Sequence, residues 1–429
     1  MTPTRSRAAL LLAALLFLGA SCGGGEGGEV DEQAAMRASP AWPVFQTALG
    51  HAAAGRREQA ELEFAKALEA DSSQPMFFAE RGWNLALLSR YRTATGVFDQ
   101  GVELHPDHPE LALRRGMTLL QAGQLYAAVK ELRRTSELAP ENDKALYWLA
   151  RALYDRSVLF LGATTIDQKM LDESISAYER AVVLNPDNAE LRYQAGIAYE
   201  RKHDTEKALE HYEAAVRADP GHAPSHRSCG AIYLRQGDHD LALKALLRAG
   251  ELAPEDGETH YQLGQFLEAK ENWEQALLAY DKALFHRHGY SEAWFRKGNV
   301  LLRLGRDDEA AEAQRRFEEW TAAKKDLDGH RLTAMATPDD PQAHFTVGAS
   351  LMTFWRFDEA LVSFQRTIEL APGAPHVHVR ASQAYQQLGN LDMALRQAET
   401  AREIAPEEPA VLFSVARVRL ARGELARRS

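Results

Sequence analysis

Apolar residues are distributed along this chain in two ways. At the start they are contiguous: Ala8 to Leu18 is an unbroken run of eleven. From about residue 41 they are interspersed with polar residues, and the pattern repeats every 34 positions. Gly82 aligns with Gly116, Ala94 with Ala128 and Pro106 with Pro140. The repeats begin at 41, 75, 109 and 143, then at 189, 223, 257 and 291, then at 341 and 375, and a last partial one begins at 409. Two steps break the period, one of 46 residues from 143 to 189 and one of 50 residues from 291 to 341.

The repeated residues predict two antiparallel helices per repeat. Position eight holds Gly82, Gly116, Gly196, Gly230, Gly264, Gly298 and Gly348. Position twenty holds alanine in nearly every repeat, with Ser174 as the substitute, and position twenty-four a large residue such as Phe64, Phe98, Tyr178, Tyr212, Tyr280 or Phe364. Helices can cross closely only where side chains are small, which explains the glycine and alanine. Gly55, Gly123, Gly237, Gly305 and Gly389 fall between the two helices, where a left-handed residue ends the first. The prolines near position thirty-two cannot continue the second helix, so the chain turns into the next repeat.

These markers resemble the tetratricopeptide repeat. The resemblance implies an all-α, right-handed superhelical solenoid of about ten helix-turn-helix repeats over residues 41–429, capped by a final helix from 409. Stacked pairs would share one continuous core. The 12 extra residues of the first break, in "YDRSVLFLGATTIDQKMLDES", predict longer helices or a loop in the fourth repeat. The 16 extra residues of the second, around "KKDLDGHRLTAMATPDD", predict a longer second helix in the eighth.

In the resembled family, positions two, five, nine, twelve and thirteen of each first helix line a concave groove. Positions five and nine here supply Trp83, Tyr147, Arg151, Tyr193, Arg227, Tyr261, Gln265, Phe295, Asn299 and Phe345. An aromatic row with Arg227 in it suits an extended peptide or a partner helix: rings supply contact area at low entropic cost, and arginine holds a carboxylate. The Lys-and-Asn clamp of chaperone-type members does not occur, since the eighth repeat places Phe295 before Asn299.

The opening run is too short for a bilayer, which takes about 20 residues, and fits the apolar part of a signal peptide behind Arg5 and Arg7. Gly19, Ala20 and Ser21 lead to Cys22, an arrangement that resembles a bacterial lipoprotein signal with Gly19 where leucine is usual. The expectation is a signal peptide over 1–21, a lipid on Cys22 and a flexible Gly-rich tether over 22–40, reaching about 20–25 Å. Gly23 after the cysteine does not read as an acidic inner-membrane retention signal. The expected location is therefore the bacterial envelope, at the outer membrane and facing the periplasm.

Charge and composition narrow the rest. The formal net charge of -11 argues against a nucleic-acid partner, which calls for a basic stripe. Cys22 and Cys229 make no disulfide framework, and Cys229, at a core position, reads as a packing residue. His286 and His288, like His376 and His378, lie two apart and diverge on a helix, so no metal site is expected. No motif of a metalloprotease, nucleotide-binding loop or serine hydrolase occurs, and no pair of side chains stands out as acid and base. The arginines from 417 to 428 read as a solvated end.

The function expected is a non-enzymatic scaffold without cofactor, anchored to the membrane by lipid, that binds a protein or peptide in the groove and serves envelope assembly or secretion. The alternatives are an accessory subunit that presents substrate to a separate envelope enzyme, an enzyme with glycan-related activity, and a cytoplasmic scaffold.

Overall fold

A computed structural model of the chain describes residues 26–88, 90–159 and 167–423. The apolar run, Cys22, and Arg427 and Arg428 lie outside the described residues. Among those described, the chain forms twenty-two α-helices and no strand. An initial helix, α1 (Glu26–Ala38), precedes ten pairs. The pairs are α2 (Trp42–Ala53) with α3 (Arg57–Ala70), α4 (Pro75–Leu87) with α5 (Tyr91–Leu104), α6 (Pro109–Gln121) with α7 (Leu125–Leu138), α8 (Asp143–Leu159) with α9 (Gln168–Leu184), and α10 (Ala189–Arg201) with α11 (Thr205–Ala218). They continue as α12 (Ala223–Gln236) with α13 (His239–Leu252), α14 (Gly257–Ala269) with α15 (Trp273–His286), α16 (Ser291–Arg303) with α17 (Asp307–Ala336), α18 (Pro341–Thr353) with α19 (Phe357–Leu370), and α20 (Pro375–Gln387) with α21 (Leu391–Ile404). A single helix, α22 (Pro409–Ala421), ends the array. The fold is an all-α solenoid, and its contacts divide it into two compact units between Ser225 and His226.

The repeat markers do the work their chemistry suggests. A Cβ on Gly196 would lie 2.5 Å from the ring of Tyr212, and one on Gly264 would lie 2.5 Å from Tyr280. Both rings are fully buried. Each ring thus fills the space that the missing side chain leaves, and its hydroxyl reaches the same helix one turn further on: Tyr212 donates to Glu200 (2.8 Å) and Tyr280 to Glu268 (2.6 Å). At the turn between paired helices the backbone is left-handed. Glycine takes that position at 55, 123, 237, 305 and 389, whereas His203, Glu271 and Trp355 adopt it with φ of 65°, 56° and 58°, a conformation costly for a side chain with a Cβ. Helix starts are closed by Asp167, Asn188, Asp204, Asp256 and Asn390, whose side chains accept backbone N–H bonds. In the N-terminal unit a phenylalanine cluster of Phe45, Phe64, Phe77, Phe78 and Phe98 anchors the first repeats, with Phe45 stacked 4.2 Å from Phe77.

Three segments depart from strict repetition. Residues 26–38, inside the expected tether, are helical. Beyond Gly28 the sequence "EVDEQAAMRA" is rich in helix formers, Met36 packs on the first core, and His108 donates through Nε2 to Glu32 (2.8 Å). Nε2 is the donor because Nδ1 accepts from Leu111 N–H at the start of α6. At the first break, α8 and α9 each reach 17 residues against the usual 13 and 14. At the second break, the added residues extend α17 to 30 residues, about 45 Å, in agreement with the expected longer helix.

Candidate functional site

The first helices carry the residues that the sequence singles out, and each unit is a separate case. In the N-terminal unit, Trp83 packs half-buried on the phenylalanine cluster. Tyr147 lies on α8 between the edges of Trp148 (5.2 Å) and Tyr178 (6.1 Å). Burial pushes its hydroxyl up to about 12. Arg151, one turn on, bonds Asp155 (3.2 Å). Burial disfavours the guanidinium charge, yet Asp155 holds it above its ordinary value; burial also raises the Asp155 carboxyl.

On α10, Tyr193 stands between Tyr212 (5.6 Å) and His222 (5.2 Å). Beside it Glu190 accepts from Gln194 (2.7 Å) and contacts His222 Nε2 (3.2 Å). Burial alone would raise the Glu190 carboxyl, but the bonds from His222 and Gln194 bring it below the usual range. Glu190 also acts electrostatically on Tyr147, and Arg151 on Glu190. The structure therefore brings Tyr147, Arg151 and Tyr193 into one polar face with Asp155, Glu190 and His222.

In the C-terminal unit, Arg227 on α12 donates to Asp256 (2.7 Å), the residue that caps α14. A carboxylate arriving from a partner would have to compete with this bond. Burial raises the Asp256 carboxyl, and Arg227 and Thr259 together outweigh it and lower it. Tyr261 is wedged between Tyr280 (5.9 Å) and Tyr290 (4.7 Å), and its hydroxyl accepts from Gln265 (3.2 Å). Phe345 is likewise wedged between Phe364 (5.8 Å) and His376 (4.9 Å, edge-on). Asn299 is half-buried. Phe295 differs, being 45% exposed, with its ring tilted against that of Phe317 at 5.4 Å. In its repeat Ala313 takes the place opposite the glycine, so no large ring covers it.

The row of position-five aromatics is thus less open than the sequence suggests. Tyr147, Tyr193, Tyr261 and Phe345 each lean on the position-twenty-four ring of their own repeat, so these rings serve packing as well as the surface. The sequence reading stopped at positions five and nine and so missed Glu190 at position two and Asp155 at thirteen. Both were findable, since those positions belong to the same face. His222, just before its repeat, gave no such signal.

The cysteine and the paired histidines are packed against neighbours. Cys229 is a buried thiol. His286 stacks on His260 (5.5 Å) and His288 on Trp355 (3.7 Å, 6° between planes). His378 bonds Gln397 (2.7 Å). Among the described residues no three His, Cys, Asp or Glu side chains converge where a metal could be held, and no helix is long and apolar enough to cross a membrane.

Comparison with known proteins gives one consistent family. One model described as tetratricopeptide repeat matches residues 113–157, 168–223 and 261–326, and a second with the same description matches 200–266 and 356–425. Together they span more than half of the chain. No curated protein matches at a significant level. Among solved structures, MamA (residues 41 to the end) from Desulfovibrio magneticus RS-1 is 25% identical, with 42% of this chain and 96% of that one covered and a TM-score of 0.37. YrrB, described as a TPR protein with an unusual peptide-binding site, is 20% identical over 56% and 98% of the two chains, TM-score 0.29. Human IFIT1, solved as a dimer with PPP-AAAA, is 16% identical over 88% and 94%, TM-score 0.40. None of these likenesses carries a ligand over to this chain.

Proposed function

The chain belongs to the tetratricopeptide-repeat family, whose members are protein-interaction scaffolds, and from that premise we propose that it is a lipid-anchored scaffold of the bacterial envelope that holds a partner protein on its first-helix faces. The observation that carries the binding half is the polar face of α8 and α10. There Tyr147, Arg151, Asp155, Glu190 and Tyr193 sit half-buried and close together, and the ionisation of Tyr147, Arg151, Asp155 and Glu190 is shifted, a combination suited to an extended segment that brings both apolar and charged groups. In the C-terminal unit, Phe295 and Asn299 supply the corresponding accessible positions.

The anchoring half rests on sequence: Arg5 and Arg7, the run Ala8 to Leu18, and the small residues before Cys22. The lipid would join at Cys22, and the most fitting site is the outer membrane, facing the periplasm. Helix α1 starts only four residues after Cys22, so little slack separates the anchor from the solenoid.

Crosslinking and affinity capture from detergent-solubilised envelope test the binding half. An Arg151→Ala, Gln194→Ala double variant and a Phe295→Ala, Asn299→Ala double variant are compared with wild type at equal helicity. A partner captured by wild type and lost in either variant is the expected result, and unchanged capture in both sinks it. Metabolic labelling with an alkyne fatty acid tests the anchor: label should enter wild type and not Cys22→Ser, and an unlabelled wild type overturns it.

A further inference from the structure

The first break in the repeat also builds something. A regular first helix ends near position thirteen, which is Asp155 in the fourth repeat. Helix α8 runs one turn further, to Leu159, and that turn carries Arg156. Its guanidinium lies over the ring of Tyr126, 5.0 Å from the centroid. Tyr126 belongs to the first turn of α7 and is 71% exposed. Between the two helices a cleft of about 200 Å³ opens, with Val129 at its floor and Lys130, Arg133 and Arg134 along α7. The cleft lies on a second helix and a helix extension, away from the first-helix face described above.

Four cations therefore converge in a chain whose net charge is -11. Two of them are partly neutralised, Arg133 by Glu173 (2.7 Å) and Arg134 by Glu131 (3.5 Å), and Arg134 also donates to the carbonyl of Pro106. Glu131 is itself buried and already held by Arg115 (2.6 Å). Among the described residues neither Lys130 nor Arg156 pairs with a carboxylate. Glu137 also lines the cleft.

We propose that this cleft is a second docking site, distinct from the first-helix face, for a short acidic segment of a partner protein. Charge complementarity selects the sign: Lys130 and Arg156 hold unanswered positive charge, and arginine suits a carboxylate in a fork of two bonds. Size and surroundings select the length. The cleft admits one or two side chains, and Glu137 and Glu173 beside it repel a long polyanion such as nucleic acid, which in any case needs an extended basic stripe. The exposed face of Tyr126 selects an apolar or aromatic residue between the acidic ones, because a ring supplies contact area at low entropic cost. The insertion thus adds a cation to a site that the regular repeat would leave open.

The test is fluorescence anisotropy with the full mature chain and a labelled peptide, Asp-Glu-Phe-Asp-Glu, against its neutral counterpart Asn-Gln-Phe-Asn-Gln. The acidic peptide should bind at least tenfold more tightly. A Lys130→Gln, Arg156→Gln variant should lose that preference, a Tyr126→Ala variant should weaken binding several-fold, and Arg248→Gln, an exposed helix pair with Glu251, should bind as wild type does. Circular dichroism establishes that the variants are equally helical. Equal binding of the two peptides, or an unchanged preference in the double variant, overturns the site. Should phosphatidylglycerol vesicles or an oligoadenylate displace the acidic peptide and bind more tightly through the same residues, the site stands for a membrane or a nucleic acid and the proposed occupant is wrong.

Discussion

Repeats seven and eight are neighbours in the same unit, with the same glycine at position eight, and they are built differently. In the seventh, α14 and α15 close on Gly264, the buried ring of Tyr280 and the bond from that ring to Glu268. In the eighth, Gly298 faces Ala313, 3.6 Å from where its Cβ would be, and no ring enters the crossing. Helix α17 instead continues past the start of α16. Lys324 bonds Glu292 at that start (3.0 Å), and Leu327 and Ala334 then join the core of the ninth repeat with Val347, Leu351 and Phe364. One helix thus serves two repeats in succession, and local closure is traded for continuity. At the join, His288 and Gly289 meet Trp320, Phe354 and Trp355.

Four substitutions test this contrast. The largest effect is expected from Lys325→Pro, at an exposed position in the middle of α17. Loss of a helical hydrogen bond and the clash of the ring should cost about 3 kcal/mol or more. Urea unfolding should show it, with hydrogen-exchange protection lost first around the ninth repeat; an unchanged midpoint would mean that α17 does not act as one helix. Gly264→Ala should cost about 1–3 kcal/mol, since the new Cβ overlaps Tyr280.

Asp256→Asn comes next, at roughly 1 kcal/mol, because asparagine keeps the cap of α14 but loses the charge that holds Arg227. Its carboxyl is lowered in the fold, so its stabilisation is complete above the unfolded value near 4 and is lost as pH falls through the lower folded value. Stability of wild type minus that of Asp256→Asn should therefore shrink on acidification; a constant difference contradicts the assignment. The smallest change is a gain. Gly298→Ala has room and should stabilise α16 by roughly 0.5–1 kcal/mol, and a loss would show that repeat eight is closed as tightly as repeat seven.

The two breaks show how far local sequence reaches. The second was legible because "EAAEAQRRFEEWTAAKKDL" contains strong helix formers and no proline before Pro338, so the helix had no reason to stop. In the first, "LGATTID" mixes glycine and β-branched residues, and only the extra turns of α8 and α9 on either side are described. Within the expected tether, residues 26–38 form a helix because the stretch after Gly28 is rich in helix formers. Of the candidate site, the positions were legible and the partners were not. Nothing local indicates that Arg227 meets Asp256, or that Tyr193 stands against His222, since each pair is some thirty residues apart and meets only through stacking.

By itself the sequence determined the periodic architecture: a 34-residue spacing of small, large and turn-forming residues admits one way of pairing helices, because close crossings and left-handed turns are backbone requirements. Only the tertiary structure decided which of the repeated side chains are spent on packing and which remain available. Tyr261 is wedged and Phe295 is open although both hold position five, and Arg156 and Tyr126 share a cleft although one stands on a helix extension and the other thirty residues before it. Identical positions in a repeat face different neighbours, and exposure and charge are properties of those neighbours.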